Sequence, residues 1–574
     1  MRREKKSHGK LFQRFPDRKT HILFGALAVI FSFLLVLSKS FEKTDSLYNV
    51  FGNTKSVVFS FIKMLGWFFV LYEGSRLAVT LHLGTWIREK SIRMPKGIWN
   101  KKRTAWFLFL IILICWVPYY IMFFPGSMTP DAQDELAQVF QDKENSWTYN
   151  TIVHENPEDN TINNHHPVFY TCFMGVFVQF GRLLGDINAG IAIFSFIQML
   201  LVIVGMVYFL SFLKKKKIPL LYLYITLAFF AFYPVFPIYA VTVSKDILFA
   251  VALLWVSIEL CIFLDGAEQG WKRGRHMCLY IISLIFLCLL RSNGAYIIIA
   301  LIPFVFAAGG KIRVKMLLAT MAPLLFYFIF FVRILLPAFE IESASPREML
   351  SLPFQQIARY ASEYGRGGFE TGEIEQLNKV MNFGNNLSVL AERYNPVFAD
   401  RVKNYFRKEA TDEEVRDCLA IWMRLVARHP GTCIAATLNN NYLLLNDIGC
   451  GGNVIYANIT DVYLEKEKWY GVRENEQFHA ERGFLDEFLY ACSQIPVIGL
   501  PYAIGWYDWL ILFCIVFCLS KRKYRETVCI LPMLFCIGTT VLGPVIYMRY
   551  AIQWILLTPM AGAMCLSIHK KVSL

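Results

Sequence analysis

The sequence predicts an all-α polytopic membrane protein of about twelve transmembrane helices. Two observations carry this expectation. The 574 residues are 56% hydrophobic and only 18% charged, with mean hydropathy +0.42, too apolar for a soluble chain of this length. The apolar residues also arrive in blocks such as 105–124, 189–213 and 246–264, each near the ~20 residues that carry a helix across a bilayer. Alternating barrel-type strands are missing, and collagenous, disordered or disulfide-scaffold chains are poor in the Leu, Ile and Phe that fill this one.

Lys and Arg tend to stay in the cytoplasm, which orients the elements in order. Residues 1–104 read as a basic cytoplasmic tail, including Arg2, Arg3, Lys5 and Lys6, followed by two added helices, 22–38 and 57–79. No signal-peptide cleavage pattern follows Met1, so 22–38 is expected to stay as an anchor. Residues 105–336 form the central membrane unit, with helix 105–124 leading to an acidic external loop, 125–167. If both 168–184 and 189–213 crossed, Lys214 to Lys217 would lie outside. The shorter stretch, interrupted by Gly175 and Gly181, is therefore expected as a re-entrant or juxtamembrane helix. Helices 218–233, 246–264, 277–291, 294–308 and 316–336 then alternate, keeping Lys272, Arg273, Arg275, Lys311, Arg313 and Lys315 inside. A mainly helical extracytoplasmic domain, 337–505, follows. The last unit, 506–574, adds 507–520, 527–543 and 549–568 and ends in cytoplasmic His569, Lys570 and Lys571.

The net charge of +14 does not point to nucleic acid, because the basic residues form short clusters between apolar blocks. The 14 cysteines show no CxxC pair and no zinc-type spacing. Cys418, Cys433, Cys450 and Cys492 fall in the polar segment, where free thiols are the expected state. Thr411 and Glu414 read as a capping box opening helix 412–428, with Val415, Leu419, Trp422, Met423 and Val426 on one face, packed on its own domain or on the membrane surface. The sequons at Asn386 and Asn458 recur too often by chance to carry weight.

With this topology, polar residues at helix ends gather on the external side. They are Asp131, Asp134 and Glu135 after helix 105–124; His165 and His166 before Pro167; Lys245 and Asp246 opening helix 246–264; Arg291 and Asn293 at a helix turn; and Arg549 at the last external turn. Singly, each reads as a solvated acid or a snorkelling cation. Together, three cations on the side where positive residues are depleted suit a phosphate-bearing ligand, and a facing carboxylate suits activation of a hydroxyl. Asp131 is the expected general base, with Asp134 and Glu135 as its rivals.

The segments Pro125 to Asp131, His165-His166-Pro167, Ser244-Lys245-Asp246 and Arg291-Ser292-Asn293-Gly294 resemble motifs of the GT-C superfamily of membrane glycosyltransferases, nearest to a bacterial multi-pass family without an assigned activity. The resemblance covers roughly 105–340 well and the last three helices loosely. It departs from the superfamily where Asp131 is followed by Ala132, so the adjacent acids are Asp134 and Glu135, and where His-His-Pro stands for His-Pro-Pro. It implies transfer of a sugar from a polyprenyl-phosphate carrier to a cell-envelope glycan or lipid acceptor on the external face of a cell membrane. No cofactor is required by that reading. A divalent metal bridging Asp131 and a His is compatible with it, but a metal-free site is favoured because no compact ligand spacing is present. A transporter or flippase of lipid-linked saccharides, or a scaffold with an external binding domain, are the competing functions.

Overall fold

Uninterrupted Leu, Ile, Phe and Ala runs form the long helices, and Pro, Gly and paired polar residues end them. The computed structural model describes residues 17–567 apart from 81–82, 152–159, 267–269, 344, 447–469 and 474. The expected basic tail before residue 17, His569 to Lys571, the sequon at Asn458 and Cys450 lie outside the described residues. Helix α1 (Arg18–Thr44) starts where the Asp17 carboxylate accepts the Thr20 N–H at 2.8 Å, and it pairs with α2 (Thr54–Thr80). The central helices are α3 (Thr104–Met122), α4 (Pro130–Val139), α5 (Val168–Leu183), α6 (Ile187–Lys215), α7 (Leu220–Phe232), α8 (Val235–Val241), α9 (Lys245–Asp265), α10 (Gly270–Leu290), α11 (Asn293–Ala308) and α12 (Gly310–Ala338).

The polar segment contributes α13 (Ser351–Tyr364), α14 (Asp412–Arg428) and α15 (His479–Gln494) among shorter turns. The chain closes with α16 (Ile504–Ser520), α17 (Tyr524–Val541), α18 (Met548–Ile555) and α19 (Thr558–Leu566).

The body is an all-α, multi-pass membrane protein, but the expected count of about twelve spans is wrong. Six described helices, α1, α2, α3, α6, α9 and α12, are long and apolar enough to cross a membrane, and a seventh span results if α7 and α8, bent by 50°, count as one. The apolar blocks overcounted because hydropathy does not register where the hydrogen-bond ladder breaks. Pro234 stops α7, the block 549–568 divides into α18 and α19 ahead of Pro559, and α5, α11 and α16 reach only 16, 16 and 17 residues. Helix α17 starts in Arg525 and Glu526 and carries Pro532 inside.

Helix α9 is the most enclosed of the candidate spans, buried on nearly every side against α6, α10, α17 and α18. Its Glu259 is satisfied by His276 of α10 at 2.7 Å and by Tyr208 of α6. In α2, Arg76 and Glu73 pair one turn apart at 2.6 Å. The basic residues after the helices share one end of the bundle: Lys214 donates to Thr104 at the start of α3, Lys216 pairs with Asp265 at the end of α9, and Lys523 caps carbonyls of Met564, Cys565 and Ser567. The starts of α6 and α9 and the end of α3 lie at the other end.

The polar segment has its own core, in which Phe354, Ile357, Leu377, Leu390, Cys418, Ile421 and Leu425 pack together. Thr411 and Glu414 form the expected capping box, and α14 packs on this core. Val415, Leu419 and Trp422 of the expected stripe pack on this core, but the helix's inward face is centred one position earlier, on Cys418, Ile421 and Leu425, which leaves Met423 exposed. Cys418, Cys433 and Cys492 are free thiols.

Helices α5 and α6 cross at Gly181 and Gly190, where a Cβ on Gly190 would stand 2.3 Å from the Phe177 carbonyl oxygen. Backbone cannot yield at that distance. Gly190→Val is expected to force the helices apart at a cost of about 1–3 kcal/mol, read as a lower thermal midpoint of the purified protein; an unchanged midpoint would refute this close crossing.

Candidate functional site

The site is built where the segment after α3 meets the start of α9. Main chain holds them together: the Val243 N–H donates to the Ser127 carbonyl at 2.8 Å, and the Thr129 hydroxyl donates to the Val243 carbonyl at 3.3 Å. Helix α6 supports both strands of this clamp. Ser195 donates to the Pro125 carbonyl at 2.6 Å, and the Gln198 amide donates to Ala240 and Thr242 at 3.0 and 2.6 Å. Gly126, at φ +145, lies so close to Ser195 that its Cβ would stand 3.1 Å from the serine Cβ. The Thr129 side chain then caps α4, and Pro130 occupies its first turn, where a missing N–H costs nothing.

On α4, Asp131 and Glu135 are one turn apart and face α9. The Lys245 ammonium reaches Asp131 at 3.2 Å, Glu135 at 3.3 Å and Nδ1 of His166 at 3.1 Å, which uses all three of its protons. Accepting from Lys245 requires His166 to carry its own proton on Nε2, which faces Asp134 at 3.6 Å. Arg549 approaches Asp131 from α18 at 3.4 Å. Asp131 is thus held by two cations. It is also the accessible acid, 28% exposed where Glu135 is 1% exposed. Asp134 points elsewhere and accepts from Gln138, from Ser146 and from the backbone and hydroxyl of Thr148, so it anchors the loop.

Ser244 caps α9 by accepting the Asp246 N–H, its hydroxyl donates to the Asp246 carboxylate at 2.9 Å, and that carboxylate also accepts from Arg291 and from Gln553 at 3.2 Å. Tyr550 joins the two ion-pair groups. Its ring lies 4.9 Å from the Arg291 guanidinium and 4.8 Å from that of Arg549, whose Nη2 donates to the Tyr550 oxygen at 2.7 Å. His165 faces outward from the centre: its Nε2 lies 4.0 Å from Glu348, its ring stands edge-on to Trp147, and Glu348 is held by Lys403 at 2.8 Å. Asn293 is set apart, donating to Thr539 at 3.3 Å. The structure therefore brings Asp131, Glu135, His166, Lys245 and Arg549 into direct contact, joins Asp246 and Arg291 through Tyr550, and leaves Asn293 and His165 at the margins.

Electrostatics separates the two acids that share Lys245. Burial pushes against ionisation of both, but Arg549 and Lys245 overcome it at Asp131 and hold that carboxyl well below the usual range. Glu135 is pushed up to about 7 by burial, against the pull of Lys245 and with the Asp131 charge adding to the rise. His165 falls to about 4 and His166 also falls well below its ordinary value, both chiefly through burial, so the pair is neutral at pH 7. Tyr550 stands beside Arg549 in the sequence as part of the last external polar group, whereas sequence reasoning missed Gln553, Glu348 and Lys403 as site components. Gln553 follows Arg549 at i+4, a helical spacing that could have signalled it, whereas no local pattern marks the acid and lysine of the polar segment.

Among the described residues, no group of three or more His, Cys, Asp and Glu side chains is arranged to hold a metal ion. A family model described as a family of unknown function, DUF6020, matches residues 8–572. No curated protein and no solved structure matches the chain.

Glu135 holds its proton more tightly folded, at about 7, than in an unfolded chain, near 4.5. Its contribution to stability is thus fully present below 4.5 and fades as pH rises through about 7. Relative to wild type, Glu135→Gln is expected to gain thermal midpoint steadily across that window and to keep the gain above it. Parallel midpoint curves for the two proteins would contradict the raised value.

Proposed function

Since the chain belongs to DUF6020, a family of unknown function, its chemistry has to be read from its own side chains, and we propose that it transfers a sugar from a polyprenyl-phosphate donor to a hydroxyl of a cell-envelope glycan or lipid. One observation carries this reading. Two buried cations, Lys245 and Arg549, converge on the single accessible carboxylate Asp131, and the Arg549 Nε is buried without a hydrogen-bond partner. With Glu135 protonated, that group has one positive charge in surplus, which suits a phosphate anion beside a base.

The chemistry asked of the residues is modest. The acceptor hydroxyl attacks the anomeric carbon, the bond from that carbon to the phosphate oxygen breaks, and polyprenyl phosphate leaves with the electron pair. Lys245 and Arg549 neutralise the developing charge, and Asp131 takes the hydroxyl proton. In the free site Asp131 is too weak a base, being paired twice. A donor phosphate draws both cations toward itself and returns basicity to the carboxylate when it is needed. Arg291 contributes through Asp246 and Tyr550 by fixing where Arg549 stands.

The basic residues gathered at the opposite end of the bundle support an external site, with both termini cytoplasmic, in the cell membrane. In a background without reactive native thiols, Asp186→Cys is expected to label from outside intact cells and Lys215→Cys to be spared. The reverse pattern would place the site on the cytoplasmic face.

Activity is tested with purified protein in lipid nanodiscs and a panel of radiolabelled polyprenyl-phosphate sugars. Lys245→Ala and Arg549→Ala are expected to weaken donor binding by about 10–100-fold, the loss of one charge-assisted contact each. Asp131→Asn should bind donor as wild type does while turnover falls by about 10²–10⁴-fold. Full turnover by Asp131→Asn would remove it as the base, and movement of intact lipid-linked saccharide across proteoliposomes without consumption would favour the transporter instead.

A further inference from the structure

Helix α15 has three distinct faces. Arg482 and Leu489 are buried against the main core, with Leu485 packed partly beside them. At 100° per residue, Phe484, Phe488 and Ala491 form a separate stripe about 60° wide, and they are exposed, Phe484 at 69% and Phe488 at 52%. Their rings stack on one another at 6.2 Å rather than on the protein. The third face carries Gly483, Glu487, Tyr490 and Gln494, all exposed. The apolar stripe continues past the helix through Ile495, Val497 and Ile498, which are 45–73% exposed, into the apolar helix α16.

The level at which this helix lies is fixed by hydrogen bonds to a spanning helix. Arg482 donates to the carbonyl of Met122, the last residue of α3, at 3.1 Å and to that of Asn475 at 2.8 Å. The Asn475 N–H donates to the Phe124 carbonyl at 3.0 Å. Thus α15 lies against the end of α3, where that helix leaves the membrane. Ile121, one residue before the clamp, is 47% exposed on α3, and Ile114 and Trp106 earlier on the same helix are 69% and 63% exposed, so α15 lies at the level where an apolar, exposed surface of a spanning helix ends.

We infer that α15 is an interfacial helix whose Phe484 and Phe488 are seated in phospholipid at the boundary between headgroups and acyl chains, with Glu487 and Gln494 in water. A helix with one face on protein, one apolar and one polar is satisfied at that boundary, where all three surroundings meet. Seating it there also fixes the level of Met122 and Phe124, from which the segment leading to Asp131 starts. This inference is independent of the proposed sugar transfer.

The test uses the full chain in nanodiscs of phosphatidylcholine and phosphatidylglycerol, with p-benzoylphenylalanine placed singly at 484, 488 or 487 and, as a control on the exposed face of a spanning helix, at 121. Irradiation is expected to give adducts of phospholipid mass at 121, 484 and 488 and none at 487. Cross-links from 484 and 488 to a second chain or to residues 447–469, or no lipid adduct at either while 121 reacts, would overturn the assignment. For a variant that does not fold, wild-type protein in nanodiscs doped with a diazirine-bearing phospholipid gives a second reading. Labelled peptides should include 484–498, and labelling confined to the spanning helices would overturn the inference.

Discussion

The arrangement depends on one buried ammonium group. Lys245 is the first residue of α9, where the aligned peptide dipoles already present positive charge, and it has 9% of its side chain exposed. A cation in that position is unstable unless it is surrounded by acceptors. Asp131, Glu135 and His166 meet that demand together, and each arrives from a segment more than seventy residues away. The clamp between Ser127 and Val243, the short helix α4 and the return of the chain through His165-His166-Pro167 are the means by which those acceptors are delivered.

That dependence also explains how the polar segment is coupled to the bundle. Glu348 sits between His165 and Lys403, and the Asn164 N–H donates to the Glu342 carbonyl at 2.9 Å, so the segment's opening residues are tied to the same returning loop. Trp147 lies between them, with its ring under the Arg347 guanidinium at 5.1 Å and beside His165. The loop is therefore held from two directions, by α9 on the inside and by a separately packed helical unit on the other.

Much of the site was legible in the sequence because buried charge is rare in apolar chains. Asp131, Glu135, His166, Lys245 and Arg549 stood out as polar residues at the ends of apolar blocks, and helical spacing already related Asp131 to Asp134 and Glu135. What spacing could not give was the choice between the two later acids. Glu135 turns toward Lys245 and Asp134 toward Ser146 and Thr148, which depends on partners far along the chain. The number of spans was misjudged for a related reason. Hydropathy averages over a block and does not register how long its helix runs: the block at 218–233 forms a helix of 13 residues, and the block at 549–568 divides ahead of Pro559 into helices of 8 and 9. Glu348 and Lys403 carried no signal at all, since a Glu and a Lys in a polar segment look alike whether they face water or a histidine.

The main-chain bridge between Ser127 and Val243 has a consequence for the order of assembly. The acidic residues of α4 leave the ribosome more than a hundred residues before the Lys245 ammonium that Asp131 and Glu135 share. Conversely, α9 brings an ammonium at its tip whose neighbouring acid, Asp246, is engaged by Arg291 and Gln553. The carboxylates that could serve catalysis in the finished protein are thus also the receptor on which the tip of the central helix is seated.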